Sequence, residues 1–226
     1  MPKIEKGKPL PEHTKLDYYE CYAKIILEAL FSDRYETLSL ADKPDLQNLK
    51  KDIGIEVTTA VDSKRREVEK LWYTMPYVKP EKQKKNIERM RQLGVAYTRG
   101  FQVWNAVTIS GTEIDGYPIE EFIFAYQNKL QKLKEGKYKS FSCYDLFVYS
   151  ELYVPQSLID IVLKRLLSYN ISDKKFSWVI LHAQANIIVF DLLGKTHKTF
   201  DFSDKQRSFA IQARELVEKG EDNDET

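Results

Sequence analysis

The chain has 226 residues, of which 42% are hydrophobic and 31% charged, enough to bury one substantial core. No apolar run approaches the roughly 20 residues needed to span a bilayer, and the N-terminus lacks the apolar segment of a secretory signal. We therefore expect a cytoplasmic protein without a membrane partner. The two cysteines, Cys21 and Cys143, lie far apart in the sequence, which argues against a disulfide framework and against a zinc site.

The N-terminal part of the chain predicts an arm, a helix and two strands. Three prolines among the first 13 residues predict a mobile arm over residues 1–15, ahead of a single domain over residues 16–219. Apolar residues in 16–31 recur at spacings of three and four, which predicts an amphipathic helix. Residues 35–40 and 53–61 have strand patterns, and the second strand places Glu56 and Thr58 side by side on one face.

Helical and strand patterns alternate through the rest of the chain. We expect helices over 63–72, 81–93, 119–135, 155–169 and 205–219, strands within 101–110 and over 143–152, and a β-hairpin from 176–183 and 186–193. His182 lies in an apolar strand, where a histidine is usually a hydrogen-bonded core residue. The order of elements fits an α/β domain with a mixed sheet covered by helices. The acidic end, residues 220–226, is expected to be a disordered tail.

The charges are segregated along the chain, although the net charge is only +1. Between Ser63 and Gly100 there are 11 Lys and Arg residues against 4 Glu residues. Such an excess of cations is typical of a surface that binds an anionic polymer. Long cationic side chains also solvate helix faces without binding anything, so both interpretations stay open.

Two carboxylates are the strongest candidates for chemistry. Asp45 follows a proline at a strand end, and Glu56 lies 11 residues later on the neighbouring predicted strand. Two acids on adjacent strands repel each other unless a divalent cation neutralises them, which suggests a Mg²⁺ or Mn²⁺ site. Acids are also common at turns and on exposed strand faces, so the spacing alone leaves a solvent-exposed pair as the alternative.

The run DKPDLQNLKKDIGIEVTTA resembles the core motif of the PD-(D/E)XK nuclease superfamily, with Pro44-Asp45 as the PD and Glu56-Val57-Thr58 in the place of (D/E)XK. Glu20 occupies the helix position at which many members carry a glutamate. The helix containing QNKLQKLKEGKY, followed by CYDLFVYSEL, is similar to the later part of that core, where a basic helix precedes a buried strand. The resemblance implies a restriction-endonuclease-like mixed central sheet flanked by helices, with residues 63–117 as a basic helical insertion.

The resemblance also implies an activity. Asp45, Glu56 and the backbone carbonyl of Val57 would hold Mg²⁺ or Mn²⁺, and Glu20 would contact the ion directly or through water. The expected function is a metal-dependent endonuclease that hydrolyses phosphodiester bonds in DNA, with RNA as an alternative substrate and a homodimer as the form that cuts both strands. The residues expected to bind nucleic acid are Lys64, Arg65, Arg66, Lys82, Lys84, Lys85 and Lys132.

One position departs from the family pattern. Most members carry a lysine two residues after the acid, where this chain has Thr58. We expect Lys129 to replace it, because Lys129 and Lys132 lie three residues apart on one face of the 119–135 helix, and the resemblance implies that this helix follows the motif strands and packs against the sheet. Lys43, two residues before Asp45, is the second candidate, whereas Lys50 and Lys51 lie in a predicted turn, where solvent exposure is expected. If no lysine replaces the missing one, the domain is a catalytically degenerate nuclease fold that binds nucleic acid or a protein partner in a phage or defence context. If the match to the family motif is chance, the chain is a protein-interaction module unrelated to nucleic acid.

Overall fold

The structure is a computed structural model that describes residues 9–11, 13–60, 63–99, 104–109, 119–150 and 153–222, with the backbone alone for 63–65, 95–99, 104–109 and 221–222. Its helices are α1 (Tyr18–Leu30), α2 (Ser32–Tyr35), α3 (Ser63–Thr74), α4 (Pro80–Gln92), α5 (Ile119–Lys134), α6 (Gln156–Tyr169) and α7 (Gln206–Asp222), with a 3₁₀ turn at Met75–Tyr77. Its strands are β1 (Ser39–Leu40), β2 (Leu46–Asn48), β3 (Ile53–Thr59), β4 (Val95–Arg99), β5 (Trp104–Ile109), β6 (Cys143–Ser150), β7 (Trp178–Ala183), β8 (Asn186–Asp191) and β9 (Thr196–Asp201).

The chain divides into two compact units. The larger unit comprises His13–Ala60 and Tyr117–Thr226, and the smaller one comprises Met1–Glu12 and Val61–Gly116. The bounds of the smaller unit fall close to those of the expected insertion over residues 63–117.

The larger unit is built on a seven-stranded mixed sheet in the order β1-β2-β3-β6-β7-β8-β9. Strands β3, β6 and β7 pair in parallel, and the remaining neighbours are antiparallel. Helices α5 and α6 pack on one face through a core that includes Phe122, Leu146 and Leu166. On the other face, Tyr19 and Tyr22 of α1 contact Tyr149 of β6. The expected α/β class, with a mixed sheet flanked by helices, is confirmed.

Helix α1 forms for local reasons that the sequence displays. The Asp17 carboxylate accepts hydrogen bonds from the backbone N–H groups of Tyr19 and Glu20, which caps the helix. The apolar residues at spacings of three and four, including Ile25 and Ile26, form the buried face. Because Glu20 lies in the first turn, the cap also fixes the end of the helix that carries this acid.

The smaller unit contains a helical pair and a strand pair. Helices α3 and α4 pack through a small apolar cluster around the buried Val68 and Met90. They are also joined by a bidentate ion pair between Arg89 and Glu67, with distances of 2.6 and 3.0 Å. Strands β4 and β5 form an antiparallel hairpin.

The strand predicted over residues 35–40 is wrong over most of its length. Tyr35 ends α2, and only two residues of the predicted stretch belong to β1. Thr37 has a φ of 59°, in the left-handed region, so an extended strand cannot run through it. The buried Tyr35 ring is held by a tertiary hydrogen bond to Asp145, which local sequence patterns do not reveal.

Three strands were not predicted. Strand β2 lies between the two strands predicted over 35–40 and 53–61. Its three residues lack a strand pattern because they include the polar Gln47 and Asn48, which are nevertheless buried. Strand β9 is a largely exposed edge strand with a polar sequence, THKTFD. Strand β4 precedes residues 100–103, which lie outside the described residues. The strand predicted within residues 101–110 corresponds to β5, which covers Trp104–Ile109.

The C-terminal helix is longer than expected. Helix α7 continues to Asp222, so the disordered tail predicted from residue 220 is wrong for its first residues. Gly220 packs closely on Leu16, because a Cβ atom there would lie 2.9 Å from the Leu16 Cδ1 atom. Residues 223–226, and residues 1–8 and 12 of the predicted arm, lie outside the described residues. In the parts of the chain that are described, no helix combines the length and apolar character needed to cross a membrane.

Candidate functional site

Asp45 and Glu56 face each other across two antiparallel strands. Leu46 of β2 pairs with Ile55 of β3, and extending this register by one residue places Asp45 opposite Glu56. The Asp45 carboxylate accepts a hydrogen bond of 2.7 Å from the backbone N–H of Val57. The two acids that the sequence singled out are therefore brought together, and this hydrogen bond holds Asp45 against β3.

Glu56 is buried, with 5% of its surface exposed. Its Oε1 atom lies 2.5 Å from the Nζ atom of Lys129, which projects from α5. Its Oε2 atom is also buried and has no hydrogen-bond partner among the described residues. An unsatisfied buried acceptor is costly, and more so when it carries charge. Glu56 thus retains one oxygen with unused capacity to bind a donor or a cation.

Glu20 belongs to the same electrostatic cluster. Burial and, to a lesser extent, the charges of Asp45, Asp17 and Glu56 together raise the pKa of Glu20 to about 7, against the opposing effect of Lys129. Burial and the charge of Glu56 raise the pKa of Asp45 to about 6, against the opposing effects of the Val57 N–H and of Lys129. The acids therefore repel one another, and a divalent cation would relieve that repulsion.

Tyr138 is a member of the site that the sequence did not suggest. Its hydroxyl is buried and has no well-aligned hydrogen-bond partner among the described residues. Burial raises the pKa of the Tyr138 phenol, and the neighbouring Glu56 and Asp45 raise it further. Tyr138 lies in the loop between α5, which carries Lys129, and β6, which pairs with β3. Its place in this loop was the one feature of the sequence that could have indicated a position near the site.

Thr58 is half-buried on the face of β3 that Glu56 also occupies. It supplies no cation, but Lys129 brings one to the neighbouring acid. The other lysines considered lie elsewhere: Lys43 is exposed and paired with Asp42, and Lys51 bonds the backbone carbonyl of Asp33. Lys50 is exposed as well. Among these four lysines, Lys129 is the one that contacts a site carboxylate.

Val57 contributes to the site through its backbone N–H, which binds Asp45. Its carbonyl as a metal ligand stays a prediction. In the described part of the chain, no group of three or more His, Cys, Asp and Glu side chains is arranged to hold a metal ion. The site therefore consists of two opposed carboxylates, each held by one donor, with Glu20 coupled to both through its charge.

The basic residues expected to bind nucleic acid are placed on helices. In the smaller unit, Arg66, Lys82, Lys84 and Lys85 are exposed on α3 and α4. The side chains of Lys64 and Arg65 lie outside the described residues. In the larger unit, Lys132 is exposed on α5, three residues after Lys129.

A second buried carboxylate lies on the opposite face of the sheet. Asp145 of β6 is fully buried and accepts hydrogen bonds from Arg34, at 3.0, 3.1 and 2.9 Å, from the Tyr35 hydroxyl at 2.8 Å and from the Trp178 N–H at 2.8 Å. Sequence patterns did not indicate this cluster either, because its members are more than 30 residues apart or lie in α2, a short helix that was not predicted. Both oxygens are satisfied, which is typical of a structural ion pair.

No protein-family model matches the chain, and no curated protein or solved structure is significantly similar to it. Its function must therefore be inferred from the site itself.

Proposed function

We propose that the protein is a metal-dependent endonuclease of the PD-(D/E)XK type that hydrolyses phosphodiester bonds in DNA. The observation that carries this proposal is the contact between Lys129 and Glu56, opposite Asp45. It supplies a cation beside the acid pair of a chain that has Thr58 in the place of the family lysine. The order of the elements supports it as well, because a helix with Glu20 precedes the acid strands and the helix with Lys129 precedes the buried strand β6.

The residues present fit a divalent cation. Glu56 keeps a buried oxygen without a partner, and all the candidate side-chain ligands are carboxylates, the hard donors that Mg²⁺ and Mn²⁺ prefer. Asp45, Glu56 and the Val57 carbonyl would hold the ion, with Glu20 directly or through water. When bound, the ion supplies a more acidic water and stabilises charge on the scissile phosphate. Together with Lys129, a divalent cation would balance three carboxylates.

The side chains around the ion have separate tasks in this proposal. Lys129 orients the attacking water and offsets the negative charge that develops on the phosphate. Asp45 is kept in place by the Val57 N–H. The basic residues of α3 and α4 hold the DNA backbone, and this predicts an affinity that falls steeply with salt.

Nicking of supercoiled plasmid DNA tests the proposal. We expect the wild-type protein to nick the plasmid with Mg²⁺ or Mn²⁺ and not with EDTA, and we expect Asp45→Asn to abolish nicking. Asp173→Asn, which removes an exposed acid from the same unit, is the matched control and should nick like the wild type. If neither DNA nor RNA is cut with either metal, or if Asp45→Asn retains activity, the proposal fails.

A second candidate is a catalytically degenerate domain that binds nucleic acid without cutting it. The observation that favours it is the same ion pair, because Lys129 already neutralises Glu56 without a metal, and Thr58 leaves no other cation on β3. This candidate predicts DNA binding that survives Glu56→Gln and is lost when Lys82, Lys84 and Lys85 are changed to Glu. Measured cleavage that depends on Asp45 would exclude it.

A further inference from the structure

A cavity of about 330 Å³ opens between α1, α7 and the carboxyl end of β6, within the larger unit. It is lined by Tyr18, Tyr22, Tyr149, Gln206, Arg207 and Ala210. Glu20 follows Tyr18 by two residues, so their side chains leave α1 about 200° apart. The cavity therefore lies on a different side of α1 from the acid cluster and is a separate feature.

The tyrosine rings that line this cavity are positioned by contacts with other aromatic rings. The rings of Tyr18 and Tyr22 are stacked, with centroids 5.9 Å apart and planes 10° apart. Tyr149 stacks on the buried ring of His182 at 4.6 Å, and the His182 Nδ1 atom lies 3.0 Å from the Ser150 carbonyl oxygen. Burial lowers the pKa of His182, so at neutral pH this support carries no charge. The prediction of a core histidine at this position fits its burial and this contact.

One cation at the rim of the cavity is available to a ligand. Arg207 is exposed, and no hydrogen bond or ion pair holds it within the described residues. Ala210 and Arg214 lie on the same face of α7 as Arg207, three and seven residues later. Because the Ala210 side chain is small, it leaves space beside Arg207. In contrast, the Nε atom of Arg214 is already bound to Glu218 at 2.7 Å. Gln206 donates its amide N–H to the Gln184 carbonyl at 3.3 Å, which orients it at the rim.

We propose that this cavity binds a single nucleotide unit, with the base against the tyrosine rings and the phosphate on Arg207. Aromatic faces accept any base by stacking, and a guanidinium is well suited to a phosphate. The volume is at the lower end for small-molecule pockets, which suits one nucleotide rather than a stack of several. The inference goes beyond the proposed endonuclease function and does not depend on it, because no residue of the acid cluster lines the cavity.

Calorimetric titration of the full chain with adenosine 5′-monophosphate, adenosine and inorganic phosphate, in EDTA, tests the inference. We expect the monophosphate to bind at least about tenfold more tightly than either fragment, since it uses both the stacking surface and the arginine. Arg207→Ala should weaken monophosphate binding about tenfold and leave adenosine binding unchanged. Tyr18→Leu should weaken both, whereas Lys219→Ala, which removes another exposed cation of α7, should change neither.

The outcomes also separate this inference from the proposed function. Asp45→Asn should bind the monophosphate like the wild type, even though it is expected to lose nicking. No detectable binding of the monophosphate, or equal affinity in the wild type and Arg207→Ala, would overturn the inference. Binding of adenosine as tight as that of the monophosphate would indicate a neutral ligand and would overturn it as well.

Discussion

Two buried carboxylates on neighbouring strands of the same sheet differ in how fully their oxygens are hydrogen-bonded. Glu56 of β3 pairs in register with Leu146 of β6, so Asp145, the preceding residue, points to the other face. Asp145 is fully satisfied by Arg34, Tyr35 and Trp178, whereas Glu56 has one bonded oxygen and one without a partner. We infer that Asp145 stabilises the fold, whereas the Glu56 cluster lowers stability and is retained for function.

The largest expected effect is on the free energy of unfolding. Asp145→Asn leaves the Arg34 guanidinium without its counter-charge, and breaking a buried ion pair costs about 3–5 kcal/mol. Asp45→Asn is the matched change in the other cluster and should cost no stability, because the amide oxygen still accepts from the Val57 N–H and one repelling charge is lost. Urea denaturation at pH 7.5 measures both. Equal destabilisation by the two variants would contradict the distinction.

The next effect concerns the cation of the acid cluster. Lys129→Met should lower the rate of plasmid nicking about 10²–10³-fold, the usual loss when one group that stabilises transition-state charge is removed. The pKa values of Asp45 and Glu20 should rise, because Lys129 lowers both. Lys134→Met removes an exposed lysine at the end of α5 that has no expected role in binding or catalysis, and it serves as the control. Unchanged nicking by folded Lys129→Met would show that another group supplies the cation.

A smaller effect is expected for Tyr138, which we regard as a positioning residue for Glu56. Tyr138→Phe removes the buried hydroxyl but keeps the ring that packs against Tyr144, with centroids 6.5 Å apart. The Tyr138 hydroxyl lies near Glu56 without an aligned hydrogen bond, and we expect it to donate to Glu56 only in the reacting complex. Its loss should therefore lower kcat about tenfold, with KM and thermal stability nearly unchanged. A raised KM with unchanged kcat would instead assign Tyr138 to substrate binding.

The smallest effect is a pH dependence of stability. Glu20 and Asp45 have folded-state pKa values raised to about 7 and about 6, whereas their unfolded values lie near 4. Between these limits the folded state binds more protons than the unfolded state, so these groups make the metal-free protein less stable as pH rises from about 4 to above 7. Glu20→Gln should therefore gain stability over the wild type progressively from pH 5 to pH 8. A constant difference across this range would show that the pKa of Glu20 is not raised.

Local patterns were sufficient for the longer helices. Helices α1, α5 and α6 follow from apolar spacings of three and four, since each covers a face of the sheet. Lys129 was predicted from the family resemblance, which implies that its helix packs against the sheet, together with its position on one face of that helix. Lys129 contacts Glu56, which lies 73 residues earlier in the sequence. This contact is consistent with the predicted position of Lys129, and the catalytic role of Lys129 stays a prediction.

Features that depend on contacts between distant residues could not be predicted. The Arg34–Asp145 pair is separated by 111 residues, and neither residue belongs to a recognisable motif. Tyr138 lies in a loop whose position depends on both α5 and β6. Strand β9 is polar because it forms an exposed sheet edge, so it lacks the apolar alternation that reveals a half-buried strand.

Direct measurement of metal binding tests the central claim that the Glu56 cluster is a cation site. Calorimetric titration of the metal-free protein with Mn²⁺ at pH 7.5 should show one ion per chain, with affinity at least about tenfold lower in Asp45→Asn and in Glu56→Gln. Asp173→Asn and the exposed Lys132→Met should bind Mn²⁺ like the wild type. Absence of Mn²⁺ binding to the wild type, or equal affinity in Asp45→Asn, would contradict the account.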